Sequence, residues 1–354
     1  IYLIQCFCFK KSKLQINYFT RIPFYMVQQT LEYEKILEYE NAHFLLSLLA
    51  GDINLAKEIG KNFDVRVTTR DSWIKFFGEK SNVHKAVKVM EDLELARRGG
   101  AIISEKAFNF AIDSKKIGDD FSVTDLLGYR ILGGKGRPAV TPRNRTQLKY
   151  LRRMDENEVV FGVGPAGTGK TYLAMASAIN SLKDKKVGRL VLTRPAVEAG
   201  EALGFLPGDL TEKILPYLRP LYDALYDMID PDEVNGMIDK GQIEIAPLAY
   251  MRGRTLNNAV IILDEAQNTT SEQMLMFLTR LGEGSRCVVT GDPSQSDLKK
   301  GIPSGLKEAQ SILTNKVEGV DFVQFERADV VRHRVVASII GAYDEAKKKV
   351  DKTS

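Results

Sequence analysis

Eight consecutive residues, Gly164-Pro165-Ala166-Gly167-Thr168-Gly169-Lys170-Thr171, fit the spacing G-x-x-x-x-G-K-S/T. Glycines at these places let successive backbone N–H groups turn inward on phosphate oxygens. Lys170 brings a point charge for the β and γ oxygens, and Thr171 is placed to hold Mg²⁺ at the start of a helix whose dipole favours the anion. Composition alone produces such a spacing in roughly one chain of this length in ten, so a second element has to decide. It is Ala259-Val260-Ile261-Ile262-Leu263-Asp264-Glu265, an apolar strand that delivers two acids at its carboxyl end. Asp264 then suits the magnesium shell, and Glu265 suits orienting or deprotonating an attacking water. A third apolar run, Arg286 to Thr290, leads into Gly291-Asp292-Pro293-Ser294-Gln295, where Asp292 and Gln295 can sense a γ-phosphate. The three signals follow one another in the order of a nucleoside-triphosphate hydrolase core.

Such a core needs strands that present these loops on one edge. Apolar runs predict strands near Val159 to Val163, Arg189 to Thr193, Ile243 to Ala246, Ala259 to Leu263, Arg286 to Thr290 and Val320 to Gln324, with helical stretches between most of them. That alternation specifies an α/β fold with a parallel sheet and helices on both faces. Its carboxyl edge collects the phosphate loop, Thr193-Arg194-Pro195, Asp264-Glu265 and Gly291 to Gln295. Ahead of it, Asn41 to Gly100 reads helix, strand, strand, helix. The helices fall at Ile53 to Ile59 and Val83 to Leu95, the strands at Val65 to Thr68 and Trp73 to Phe76. A small α/β module of this order is KH-like, a class that clamps single-stranded RNA through a Gly-x-x-Gly loop. Gly51-Asp52-Ile53-Asn54 holds only the first glycine of such a loop, so RNA binding and a plain docking role both stay open for this domain. The expected divisions are a non-native or disordered head over 1–25, the KH-like domain over 26–128, a basic linker over 129–145 and the nucleotide domain over 146–350.

The chain has 354 residues, 44% apolar and 27% charged, which is the balance of a globular protein of two domains. Its net charge of +4 comes from Lys10, Lys11, Lys13 and Arg21; removing these four leaves 46 basic against 46 acidic residues. Those first 25 residues lack the layout of a signal peptide and read as translated upstream sequence, with Met26 as the start. Cys6, Cys8 and Cys287 form neither a disulfide framework nor a metal site, so a cytoplasmic location is expected, without membrane attachment. Leu126 to Met154 holds eight Lys/Arg and no acid. Such a run can track a phosphate backbone, with Trp73 or Phe76 as stacking faces for bases.

These residues resemble the PhoH family of P-loop ATPases over the chain from Met26. The resemblance rests on the phosphate loop, Leu192-Thr193-Arg194-Pro195-Ala196-Val197, Gly204-Phe205-Leu206-Pro207-Gly208-Asp209-Leu210, Met251-Arg252-Gly253-Arg254-Thr255-Leu256, Leu263-Asp264-Glu265-Ala266-Gln267-Asn268 and Thr290-Gly291-Asp292-Pro293-Ser294-Gln295. It implies a core similar to one RecA-like half of superfamily 1 helicases, in which Gln147 is the adenine reader. It also implies ATP hydrolysis with Mg²⁺, coupled to RNA metabolism or phosphate-stress physiology, a nuclease as possible partner, and a homo-oligomer such as a hexameric ring. The helicases complete their site with arginines from a second domain. Here Arg332 is the leading candidate, ahead of Arg194, Arg252 and Arg254. Two alternatives stay open on the residues themselves, a small-molecule kinase whose acceptor pocket Glu198 to Gly241 would form, and a module that senses ATP without turnover. A GTPase is excluded because Asn315-Lys316-Val317-Glu318 precedes its strand and ends in Glu.

Overall fold

A computed structural model describes residues 32–118, 121–131, 137–195, 210–299 and 301–331, together with 335, 336 and 339. The first unit runs β1 (Glu32–Glu38), α1 (Ala42–Leu48), α2 (Leu55–Phe63), β2 (Arg66–Arg70), β3 (Trp73–Glu79) and α3 (Lys80–Arg98), followed by α4 (Glu105–Ile117) and α5 (Val123–Gly128). The three strands form an antiparallel sheet in the order β1-β3-β2. β1 has no counterpart among the strands expected from sequence. Its sequence, Glu-Tyr-Glu-Lys-Ile-Leu-Glu, is a charged edge strand with little apolar alternation, held partly by a Glu34–Lys75 ion pair of 2.8 Å across to β3. Ile74 and Phe76 point from β3 into the core beside Val83, Met90 and Leu93 of α3. Phe76 is fully buried, which corrects its assignment as a face for stacking bases; Trp73 is half-buried. Asp92 of α3 accepts from the Val123 N–H at 3.0 Å and pairs with Lys115 at 3.3 Å, tying α3, α4 and α5 together.

The second unit runs α6 (Arg145–Glu156), β4 (Val159–Val163), α7 (Lys170–Lys183), β5 (Arg189–Arg194), α8 (Leu210–Met228), α9 (Pro231–Asp239), β6 (Ile243–Pro247), β7 (Ala259–Leu263), α10 (Ser271–Leu278), β8 (Arg286–Gly291), α11 (Gly305–Leu313) and β9 (Val320–Gln324). All six expected strands form, and they pair in parallel in the order β6-β5-β7-β8-β4-β9. Both faces are covered, which is why the strands read as continuous apolar runs. On β7, Val260 and Ile262 pack toward α7 and α8, whereas Ala259, Ile261 and Leu263 pack toward α10 and α11. A truncation such as Ile262→Ala there costs about 2–5 kcal/mol. Strand β8 lies between the strand carrying the phosphate loop and the strand carrying the two acids, the arrangement of a RecA-like core.

Two departures concern the basic stretch. Ile131 and Val140 pair as an antiparallel bridge and are buried in the core of the second unit, so these two residues of the expected linker are built into that unit. Arg152 pairs with Asp125 at 2.6 Å and lies over the Phe121 ring, and Arg153 pairs with Asp321 and with Glu156, each at 2.9 Å. These pairs tie α6 to α5 through Asp125 and to β9 through Asp321.

Candidate active site

The phosphate loop leaves β4 and enters α7 with three glycines at positive φ. Gly164, at φ 143°, runs so close to Phe325 that a Cβ would collide with its backbone oxygen. Gly169 caps α7 in the left-handed region, at φ 85°. Lys170 is buried and donates from Nζ to the carbonyls of Gly164 and Pro165, each at 2.7 Å. A cationic head held against the loop this way stands ready for phosphate oxygens in place of those carbonyls.

Parallel register sets the acids beside the loop. Asp264 follows β7, and its Oδ1 accepts from Thr171 Oγ1 and from Thr290 Oγ1, both at 2.7 Å. Glu265 sits in a left-handed backbone conformation, φ 54°, and faces Arg194 Nη2 at 3.0 Å and the Gln267 side-chain amide. Asp292 is 7% exposed; its Oδ1 takes the Ser294 N–H and hydroxyl, while its Oδ2 has no hydrogen-bond partner. A cavity of ≈ 270 Å³ gathers Gly167, Lys170, Thr171, Asp264, Glu265, Asp292 and Gln295 on its walls.

Beside it lies a second cavity of ≈ 450 Å³, walled by Pro138 to Thr141, Arg143, Gln147, Tyr172, Leu173 and Val331, and sharing Gly167 and Gly169 with the first. Gln147 is buried at its edge. Its Nε2 donates to the Thr168 carbonyl at 2.9 Å, and its Oε1 accepts from the Arg143 N–H at 2.7 Å. Its amide therefore braces the phosphate loop and retains one further donor and one further acceptor position.

Residues 139–344 match the family described as PhoH-like protein. The chain belongs to the PhoH family. The PhoH-like protein of Bacillus subtilis is 45% identical over 306 residues, 86% of this chain and 96% of its own length. That of Mycobacterium tuberculosis H37Rv is 47% identical over 294 residues, 83% of each chain. Protein PhoH of Escherichia coli K12 is 42% identical over 239 residues, 65% of this chain and 67% of its own. Among solved structures, a SWI2/SNF2 ATPase core from Sulfolobus solfataricus in complex with dsDNA superposes with a TM-score of 0.32 at 14% identity, covering 51% of this chain and 44% of its own. The Pif1 helicase of Candida albicans gives 0.28 at 16%, covering 52% and 39%.

The structure thus brings together the phosphate loop, Asp264, Glu265, Gln295 and Gln147 of this PhoH-family chain around two adjoining cavities. Arg332 lies outside the described residues. Arg254 is committed to a two-point bond with Glu244 on β6, at 2.6 and 2.8 Å, and Arg252 is exposed. Among the described residues, no arginine walls the phosphate cavity. Sequence reasoning gave no role to Thr290 or Gln267. Thr290 adjoins Asp264 because Leu263 of β7 pairs with Val289 of β8, a register between successive strands joined through α10.

Proposed function

We propose that this PhoH-family chain binds ATP with Mg²⁺ and hydrolyses it, Glu265 acting on the attacking water. The observation that carries the reading is the single cavity in which the loop lysine, the hydroxyl and carboxylate pair Thr171–Asp264, and Glu265 meet. The donors around the pair are all hard oxygens, Thr171 Oγ1, Asp264 and the partnerless Asp292 Oδ2, which fits Mg²⁺. Thr171 and Asp264 would hold the ion, which when bound neutralises charge on the phosphoryl oxygens. Lys170 trades its loop carbonyls for the β and γ oxygens, and the N–H groups opening α7 add their share. Glu265 accepts the proton of the water as its oxygen bonds to the γ-phosphorus and the bond to the β–γ bridging oxygen breaks, ADP leaving with that oxygen, and Gln295 contacts the γ-phosphate. Tight ground-state binding by Lys170 and late action by Glu265 should separate in mutants. Lys170→Ala should lose ATP binding, whereas Glu265→Gln should keep binding and lose phosphate release; hydrolysis retained in Glu265→Gln would remove the base role.

The reading extends to RNA metabolism, for which the β-α-α-β-β-α order of the first unit, with Gly51 in the turn between α1 and α2, is the support. A nuclease is the companion such a role would use. The reading also calls for an arginine that stabilises the transferring phosphoryl group. Arg332 of a neighbouring subunit in a head-to-tail ring would supply it. Inactive Arg332→Ala and Glu265→Gln subunits, mixed, should then regain partial turnover.

A further inference from the structure

We propose that Arg194 and Gln267 are positioning residues that hold the Glu265 carboxylate from two sides in the orientation from which it acts on water. The proposal rests on Glu265 having the base role. Glu265 is a non-glycine residue at φ 54°, a conformation that persists where the surroundings over-determine it. Its side chain has two flexible torsions beyond Cβ, so the backbone alone does not aim it. The aim comes from outside.

On one side, Arg194 ends β5, whose Thr193 pairs with Leu263 and whose Thr193 carbonyl accepts from the Asp264 N–H at 2.9 Å. Its Nη2 meets Glu265 Oε1 at 3.0 Å, and its Nη1 is anchored on the Tyr217 carbonyl of α8 at 3.3 Å. On the other side, the Gln267 Nε2 donates to Glu265 Oε2. Gln267 is itself fixed: it is 2% exposed, its Oε1 accepts from the Asp292 N–H at 3.0 Å, and its Nε2 also reaches the Gln295 carbonyl at 3.4 Å. Each oxygen is tethered once, and a carboxylate has about four lone-pair sites, so each retains one for a proton of water. Glu265 walls the phosphate cavity, and the Arg194 guanidinium is engaged by its carboxylate and by the Tyr217 carbonyl. Gln267 also joins the base to the loop after β8, which carries Asp292 and Gln295, so the base and that loop are set by one amide.

A tether of this kind acts on turnover and not on affinity, because the ground-state nucleotide is held by the loop. The test uses the full chain and measures kcat and KM for Mg-ATP hydrolysis, single-turnover rate, and equilibrium binding of a fluorescent ATP analogue. Arg194→Ala and Gln267→Ala should each lower kcat about 10- to 100-fold, the scale of a misplacement near 1 Å, with analogue affinity unchanged. Arg194→Lys, which keeps a donor and the fold, should recover part of the loss. Gln267→Glu, which keeps size but sets a second carboxylate against the first, should be worse than Gln267→Ala. On a Glu265→Gln background neither alanine should reduce the residual rate further. Wild-type or faster turnover in Arg194→Ala and Gln267→Ala overturns the tether, as does an additional fall on the Glu265→Gln background. Normal turnover in Glu265→Gln itself would instead remove the base reading beneath it.

Discussion

Thr290 is the residue whose loss should show how far the proposed magnesium site depends on support from the next strand. Thr290→Val keeps the shape and removes one hydroxyl that is fully buried and donates at 2.7 Å to Asp264 Oδ1. A hydrogen bond to a charged group contributes about 1.5–3 kcal/mol net, and each kcal/mol moves the melting point of a 150- to 250-residue domain by about 2–4 °C. The expected drop in Tm without nucleotide is therefore roughly 3–12 °C on those two scales. Thr290→Ser, which retains the donor, should lie near wild type. Because Asp264 Oδ1 keeps the Thr171 hydroxyl, the carboxylate stays in place but turns more freely, so the gain in nucleotide affinity on adding Mg²⁺ should shrink as well. Thermal melts and nucleotide titrations, each with and without Mg²⁺, read both effects. A Thr290→Val protein that melts with wild type and shows the wild-type Mg²⁺ dependence would refute the claim that this bond orients Asp264.

Gln147→Ala should lower nucleotide affinity and narrow the preference for ATP over GTP, since it takes away both a brace of the phosphate loop and the groups left for adenine; an unchanged preference in competition binding denies it the reader role. Asp292→Asn should tighten ATP binding in EDTA and reduce its dependence on Mg²⁺, because a buried carboxylate oxygen without a protein partner no longer repels phosphate; identical titrations in both conditions would count against that. Arg254 holds the Glu244 carboxyl below its ordinary range through its two-point bond. A lowered folded-state pKa gives stability that is present above the unfolded-state pKa and lost as pH falls through the folded value. The destabilisation in Glu244→Gln should therefore be up to about 1 kcal/mol at neutral pH for this half-exposed pair and fade on acidification; a difference that is constant with pH would show that the bond does not set it.

What could be read from the residues follows from how each signal is generated. The six strands of the nucleotide domain were legible because helices cover both faces, which writes each strand as an unbroken apolar run, and the phosphate loop because its glycines answer to local backbone demands. β1 was not, since an edge strand of Glu, Tyr and Lys carries no buried alternation. Phe76 looked available because period-2 patterning does not say which face is covered, and α3 covers its side. Arg194 was legible as a residue of the sheet's carboxyl edge, but its contact with Glu265, like those of Gln267 and Thr290 beside the acids, depends on the pairing of β5 with β7 and of β7 with β8. Spacing along the chain carries no trace of such neighbours.

Helix α6 belongs to both halves of the molecule. Leu148 is packed in the core of the first unit, Tyr150, Leu151 and Met154 in that of the second, and Gln147, one residue before Leu148, braces the phosphate loop. The protein accordingly has no clean place to be divided. A cut before α6 strips Leu148 of its packing, and a cut after it takes the brace from the loop and leaves the Tyr150 pocket empty. Excised alone, the nucleotide half would carry a raw apolar patch within one helical turn of its own binding site.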